Sequence, residues 1–191
     1  MSPKQVRISK IIKILIFCLI AGIALFVLML YSSIKTKSTN ISRYEPFRAY
    51  VGKTWVLQCE TYLFQEDDSY VLSKKHPFTL MDREHEQWTY FQDRMALDQS
   101  DVKLILKIPA GTEFTLREAV QYTNGVSGFS SPTVLGTISY DKKHYPVSYR
   151  WGTLDLAKSL GKVENCWKFQ QAPWQETVDT AHYALPDAEW W

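Results

Sequence analysis

The chain has 191 residues, enough for one domain and an appendage, and its net charge of +2 is unevenly spread. Residues 1–43 hold seven Lys or Arg and no acid, which leaves 15 bases and 20 acids in 44–191, a net of −5. So acidic a remainder lacks the footprint for phosphate neutralisation, which excludes nucleic acid as a partner.

Residues 1–13 form a basic tail with Lys4, Arg7, Lys10 and Lys13. Ile14 to Ile34 follow without a charge, and about 20 such residues cross a bilayer. The run exceeds the roughly 7–15 residues of a signal-peptide core and is followed by no small-x-small cleavage pattern, so an uncleaved anchor is expected. Four bases ahead of the span, against Lys35, Lys37 and Arg43 behind it, favour a cytoplasmic N-terminus. The remainder then stands outside the inner (plasma) membrane, in the periplasm if the cell has one. Residues 35–43, rich in Ser and Thr, read as a linker to a domain over 44–191, and Asn40-Ile41-Ser42 has the form of a glycosylation sequon.

"EPFRAYVG" reads as a single helical turn, with Pro46 at its start and Gly52 past its end. Gly52-Lys53-Thr54 has the last three letters of a phosphate-binding loop. The first glycine of that motif would fall on Phe47, and "KTWVLQCETYLF" after it alternates as a strand rather than a helix. No nucleotide site is expected. "QEDDS" reads as a turn and "YVLS" as a return strand. Thr79–Asp98 reads as a helix, with Met81, His85, Trp88, Gln92 and Met95 on one face.

"VKLILKI", the turn "PAGT" and "EFTLREAVQYT" read as an antiparallel hairpin. Over "VKLILKIPAGTEFTL" alone the chain resembles the strand-turn-strand of SH3-like barrels, and the Leu-Asn-Val-Arg stretch of bacterial repeats of that kind is missing. After the loop "NGVSGFSSP", "TVLGTISY" and "HYPVSYRW" form a second hairpin, in which Pro146 suggests an edge. "TLDLAKSLG" reads as a short helix closed by Gly161, and "ENCWKFQQ" as a last strand. Together these predict a mainly β fold, a small barrel or sandwich with one or two helices, behind an N-terminal transmembrane helix.

Cys59 and Cys166 are candidates for a disulfide, which would stabilise by up to ~4.7 kcal/mol in the chain-entropy model; two separately buried thiols are the alternative. His76, His85, His144 and His182 are scattered, and Asp82, His85 and Glu86 read as a charged first helical turn, so no metal and no cofactor are expected. "GVSGF" has its second glycine one position early for a nucleophile elbow. The 24 aromatics of 44–191 are mostly core, but Tyr122, Phe129, Tyr145, Tyr149 and Trp151 could line a binding groove, and Trp190-Trp191 could dip into a membrane interface.

The function expected from these features is a membrane-anchored, extracytoplasmic protein-binding module with a basic partner, such as an envelope-complex subunit or a toxin immunity protein. A cell-wall glycan binder is the alternative, and a small hydrolase using two carboxylates a further one.

Overall fold

The computed structural model describes residues 3–67, 72–97, 101–186 and 188. The chain forms two compact units, one running to Thr36 and taking in Asn124–Phe129, the other holding Lys37–Thr123 and everything from Ser130. In the first, helix α1 (Pro3–Ile34) contains a 23-residue stretch, Ile12–Ile34, that is long and apolar enough to cross a membrane. Its large side chains are exposed on every side, which suits a lipid-facing helix better than one packed on a core. The Asn124–Phe129 loop is folded by Asn124, whose Oδ1 accepts from the amides of Val126 (2.8 Å) and Ser127 (3.0 Å). A Cβ at Gly125 would run into the carbonyls of Ser33, Ile34 and Lys35, so glycine alone fits there.

The second unit is mainly β. In chain order it contains β1 (Lys37–Asn40), α2 (Phe47–Tyr50), β2 (Thr54–Val56), β3 (Thr61–Glu66), β4 (Phe78–Met81), α3 (Trp88–Met95), β5 (Val102–Ile108) and β6 (Glu113–Thr123). Then come β7 (Ser130–Tyr140), β8 (Lys143–Arg150), β9 (Thr153–Leu154), α4 (Leu156–Leu160), β10 (Trp167–Lys168) and β11 (His182–Tyr183). One eight-stranded sheet runs β1-β6-β7-β8-β4-β3-β5, with β2 also on β6, and a small sheet runs β11-β10-β9. The β4–β8 pairing is parallel and the others antiparallel, and among the described residues no pairing joins β5 back to β1 to close a barrel.

Period-2 alternation gives the large sheet two faces. Leu63, Leu80, Val147, Tyr149, Val134 and Ile138 point into the main core, which Ile41, Phe47, Trp151, Phe169 and Trp174 complete. The opposite face carries a smaller core of Tyr62, Phe64, Met81 and Val102, covered by Phe91 of α3. Gly136 lies where a Cβ would strike the Phe114 ring and the Thr115 carbonyl, so a missing side chain lets β6 and that ring pack across β7.

Several expectations hold. β7 and β8 form the second hairpin, turned at Asp141 and Lys142, both at positive φ. Asp155 caps α4 by accepting from the Lys158 amide, and Gly161 ends it.

Others are corrected. The edge that Pro146 suggests is not found: β8 is paired on one side with β7 and on the other with β4, and Pro146 is tolerated because it lies just outside the two-residue pairing with β4 at Val147 and Ser148. The helix expected over 79–98 is strand β4 followed by turns, with helix only from Trp88, because Thr79 and Met81 are taken up by sheet pairing with β3. β5 and β6 have the expected bounds but do not pair. The turn between them bonds to Leu57 instead, through the Gly111 amide on the Leu57 carbonyl (2.8 Å) and the Leu57 amide on the Thr112 carbonyl (2.9 Å). That removes the SH3-like hairpin. The strand expected over 53–64 is broken into β2 and β3 by a turn, and β1 falls within the stretch read as linker. Part of "YVLS" and the terminal Trp190-Trp191 lie outside the described residues.

Candidate functional site

Helix α3 lies across the smaller face of the sheet, and residues three and four apart along it share a side, so its two sides line two different cavities. Gln87 (its N-cap), Tyr90, Phe91 and Arg94 face a cavity of about 380 Å³, whose sheet side is formed by Glu66, Thr79, Thr133, Ser148 and Arg150. Trp88, Gln92 and Met95 face a groove of about 330 Å³ with Tyr62, Phe64, Arg83, Leu104 and Lys107.

Three ionised groups fasten this helix. The Arg94 guanidinium, almost wholly buried, meets Glu66 at 2.8 Å and Asp101 at 2.6 Å, and Nε donates to Asp101 Oδ1 at 3.0 Å. Thr79 Oγ1 donates to the other Glu66 oxygen at 3.1 Å. Hydrogen bonding to Arg94 pulls the Asp101 carboxyl below its usual range, and the same bonds push Arg94 further up. A carboxylate held as its ion by an arginine, as Asp101 is, is a poor proton donor.

In the groove, Tyr62 and Trp88 stand 4.7 Å apart between ring centroids. The Arg83 guanidinium lies 5.6 Å from the Tyr62 ring and the Lys107 ammonium 5.4 Å from it, on cation–π terms. Arg83 Nε also donates to the Tyr62 hydroxyl at 2.8 Å, and that hydroxyl donates to Glu60. Leu104, 43% exposed, belongs to β5, the edge strand of the sheet. β5 carries a bulge against Leu63 and Phe64 and two exposed lysines, Lys103 and Lys107, devices that keep an edge from pairing with another chain.

Asp82 and His85 form a buried polar knot beneath the cavities rather than a helical turn. Tyr149 donates to Asp82 Oδ2 at 3.0 Å, and the other Asp82 oxygen accepts from the Glu84 amide at 2.9 Å. His85 Nε2 donates to the Arg150 carbonyl at 2.9 Å while Nδ1 accepts from the Gln87 amide at 3.1 Å, an arrangement only the neutral imidazole satisfies. Burial pushes its pKa down, against the smaller opposing pulls of the Arg150 carbonyl and the Asp82 and Glu86 charges. Because the unfolded chain binds this proton more readily, stability is full above about pH 6.5 and falls as pH drops from there toward the depressed folded value. The urea midpoint is therefore expected to decrease between pH 7.5 and 5.5, and His85→Gln is expected to flatten that limb.

The five aromatic residues expected in a groove do not form one. Tyr149 and Trp151 are fully buried, their rings meeting each other's neighbour Trp174 at 5.0 and 5.3 Å, and serve the main core. Tyr145 is half-buried against Phe78, Tyr122 is half-buried on β6, and Phe129, 71% exposed, is on the loop that clusters with α1. The disulfide is also absent. Cys59, exposed in the turn between β2 and β3, and Cys166, half-buried ahead of β10, are free thiols, each held by a different part of the sheet system. Burial, and then the Asp82 and Glu84 charges, push the Cys59 thiol up and away from a reactive thiolate. Among the described residues no cluster of metal-ligating side chains is found.

The residues that do gather around α3 were hidden by its misplaced start. One signal pointed to Arg150: along "PVSYRW", Val147, Tyr149 and Trp151 alternate with Ser148 and Arg150, placing the arginine on the face opposite the main core. Comparison of the chain with protein-family models, curated proteins and solved structures gives no match.

Proposed function

We propose that the chain is a membrane-anchored binding protein, with α1 as its single span and the β unit on the extracytoplasmic side, that captures a partner protein along the groove between α3 and β5. The groove itself carries this reading: an apolar floor of Tyr62, Phe64, Trp88, Met95 and Leu104 under two cations. Aromatic pockets of this kind hold anchor residues, and the flanking charges steer the partner. Net charge suggested a basic partner, but with Glu60 offsetting Arg83 at 3.8 Å, Lys107 still leaves the rim of the groove net positive, so the segment that fits is acidic beside an aromatic or aliphatic anchor.

The span would concentrate the β unit at one membrane surface, and the four bases ahead of it favour an N-terminus inside. An accessory subunit of an envelope complex and a toxin immunity protein both suit such a module. The test is capture of partners by the full-length protein in mild detergent, in parallel with Arg83→Glu and Lys107→Glu, both exposed rim positions. The expected result is one stoichiometric partner whose retention falls about tenfold with either reversal and with added salt. Retention of glycan fragments that ignores salt and both reversals would replace this reading with the cell-wall alternative.

A further inference from the structure

The cavity on the other side of α3 holds an arginine, Arg150, that the described residues leave without a direct partner. Arg94 in its wall is committed to Glu66 and Asp101. Among the described residues the Arg150 guanidinium has no hydrogen-bond or ion-pair partner, although β8 holds it in the lining and burial lowers its pKa. The nearby acids are occupied elsewhere: Glu66 by Thr79 and Arg94, and Glu86 by the Thr153 hydroxyl at 2.6 Å. A half-buried, uncommitted guanidinium is free to take a ligand, and its planar fork fits a carboxylate bidentately.

Thr133 and Ser148 spend their hydroxyl protons on the carbonyls of Ser131 and Phe78, so the donors left for a ligand of that kind lie on the α3 side of the cavity. Gln87 and Tyr90 add an amide and a phenol, and Leu72 and Phe91 an apolar wall. At roughly 30 Å³ per water, 380 Å³ is room for about a dozen waters, or for a molecule of amino-acid size. Glu66 in the same wall opposes a second negative charge, which disfavours phosphate.

We propose that this cavity is a binding site for a small monocarboxylate, gripped by the Arg150 guanidinium with its organic part against Leu72 and Phe91. The carboxylate can come from a free organic acid or from an acidic side chain of a polypeptide, and the two sources differ in how they compete.

The experiment uses the full-length protein in detergent, following the Arg150 Nε–H signal by NMR together with the melting temperature. The probes are benzoate, its neutral counterpart benzamide, inorganic phosphate, and N-acetylglutamate N-methylamide as a peptide side-chain mimic. Benzoate is expected to move the Arg150 signal saturably and raise the melting temperature, and benzamide and phosphate to do neither. Arg150→Gln is expected to weaken benzoate binding by roughly tenfold or more, as loss of a charge-assisted pair requires. Tighter binding of the glutamate mimic than of benzoate assigns the site to a polypeptide, and the reverse to a free acid. Equal responses to benzoate and benzamide overturn the proposal. So does an Arg150 signal that moves on Glu86→Gln or Glu66→Gln but ignores benzoate, since the arginine is then neutralised by its own acids. If Arg150→Gln does not fold, the benzoate and benzamide contrast on the native chain decides alone.

Discussion

Trp151→Ala is expected to destabilise the β unit by about 3–5 kcal/mol, the range for deleting a buried large aromatic side chain. The indole has no exposed surface, and four rings close on it: Phe47 and Tyr50 at 5.4 Å, Phe169 at 5.2 Å and Trp174 at 5.3 Å. Those rings come from α2 and the segment after β10, and Trp151 itself directly follows β8, so one residue ties these small elements to the large sheet. Its Nε1 donates to the Gln170 carbonyl at 2.8 Å, and the substitution would leave that acceptor without its donor as well as opening a cavity. Against a total of about 5–15 kcal/mol for a domain, the loss is a large fraction. Equilibrium urea unfolding checks it through the midpoint at unchanged slope, with Trp151→Phe expected to recover part of the loss by keeping one ring. A loss under about 1 kcal/mol would mean that the four rings do not depend on this one.

This expectation inverts the role the sequence suggests for the same residue. The hairpin of "TVLGTISY" and "HYPVSYRW" follows a Gly/Ser loop, and a cluster of Tyr and Trp beside such a loop resembles a binding surface. What decides the matter is non-local. Tyr149 and Trp151 alternate onto the face that Phe47, Phe169 and Trp174 cover, and these lie far away along the chain. The membrane-length helix, the β7–β8 hairpin and α4 were legible because each depends on a continuous stretch: an uncharged run, a tight turn, an Asp cap before a Gly stop.

The failures share a physical cause. Met81, His85, Trp88, Gln92 and Met95 fit a helical period, yet β3 draws Phe78–Met81 into the sheet and tertiary pairing outweighs the local pattern. β5 and β6 look like partners because only "PAGT" separates them, but Leu57 claims that turn's backbone groups. The candidate sites inherit both errors. With the helix placed from Thr79, neither the groove under Trp88 nor the cavity beside Arg150 could be assembled from sequence. The alternation that put Arg150 on the second face was readable all along; that α3 covers this face was not.

Arg94→Met is the second large effect expected, about 3–5 kcal/mol, and its cause is charge rather than volume. Methionine matches much of the stem, but it leaves Glu66, whose side chain is 13% exposed, ionised in the wall of a cavity with Thr79 as its remaining donor. Asp101 loses its guanidinium as well. Removing one member of a buried pair costs far more than replacing the whole pair, so Arg94→Met with Glu66→Gln is expected to recover a substantial part of the loss. The pH dependence gives a second check with a definite sign. Arg94 depresses the Asp101 pKa in the folded state, so that contribution is fully present above the ordinary carboxylate value of about 3.9 and is lost as pH falls through the depressed one. The native chain should lose stability along this limb between about pH 4 and pH 2, and Arg94→Met should lose less there while starting lower. Parallel acid limbs in the two proteins would show that Arg94 does not hold Asp101 in solution, and the same helix then could not be fastened as the geometry requires.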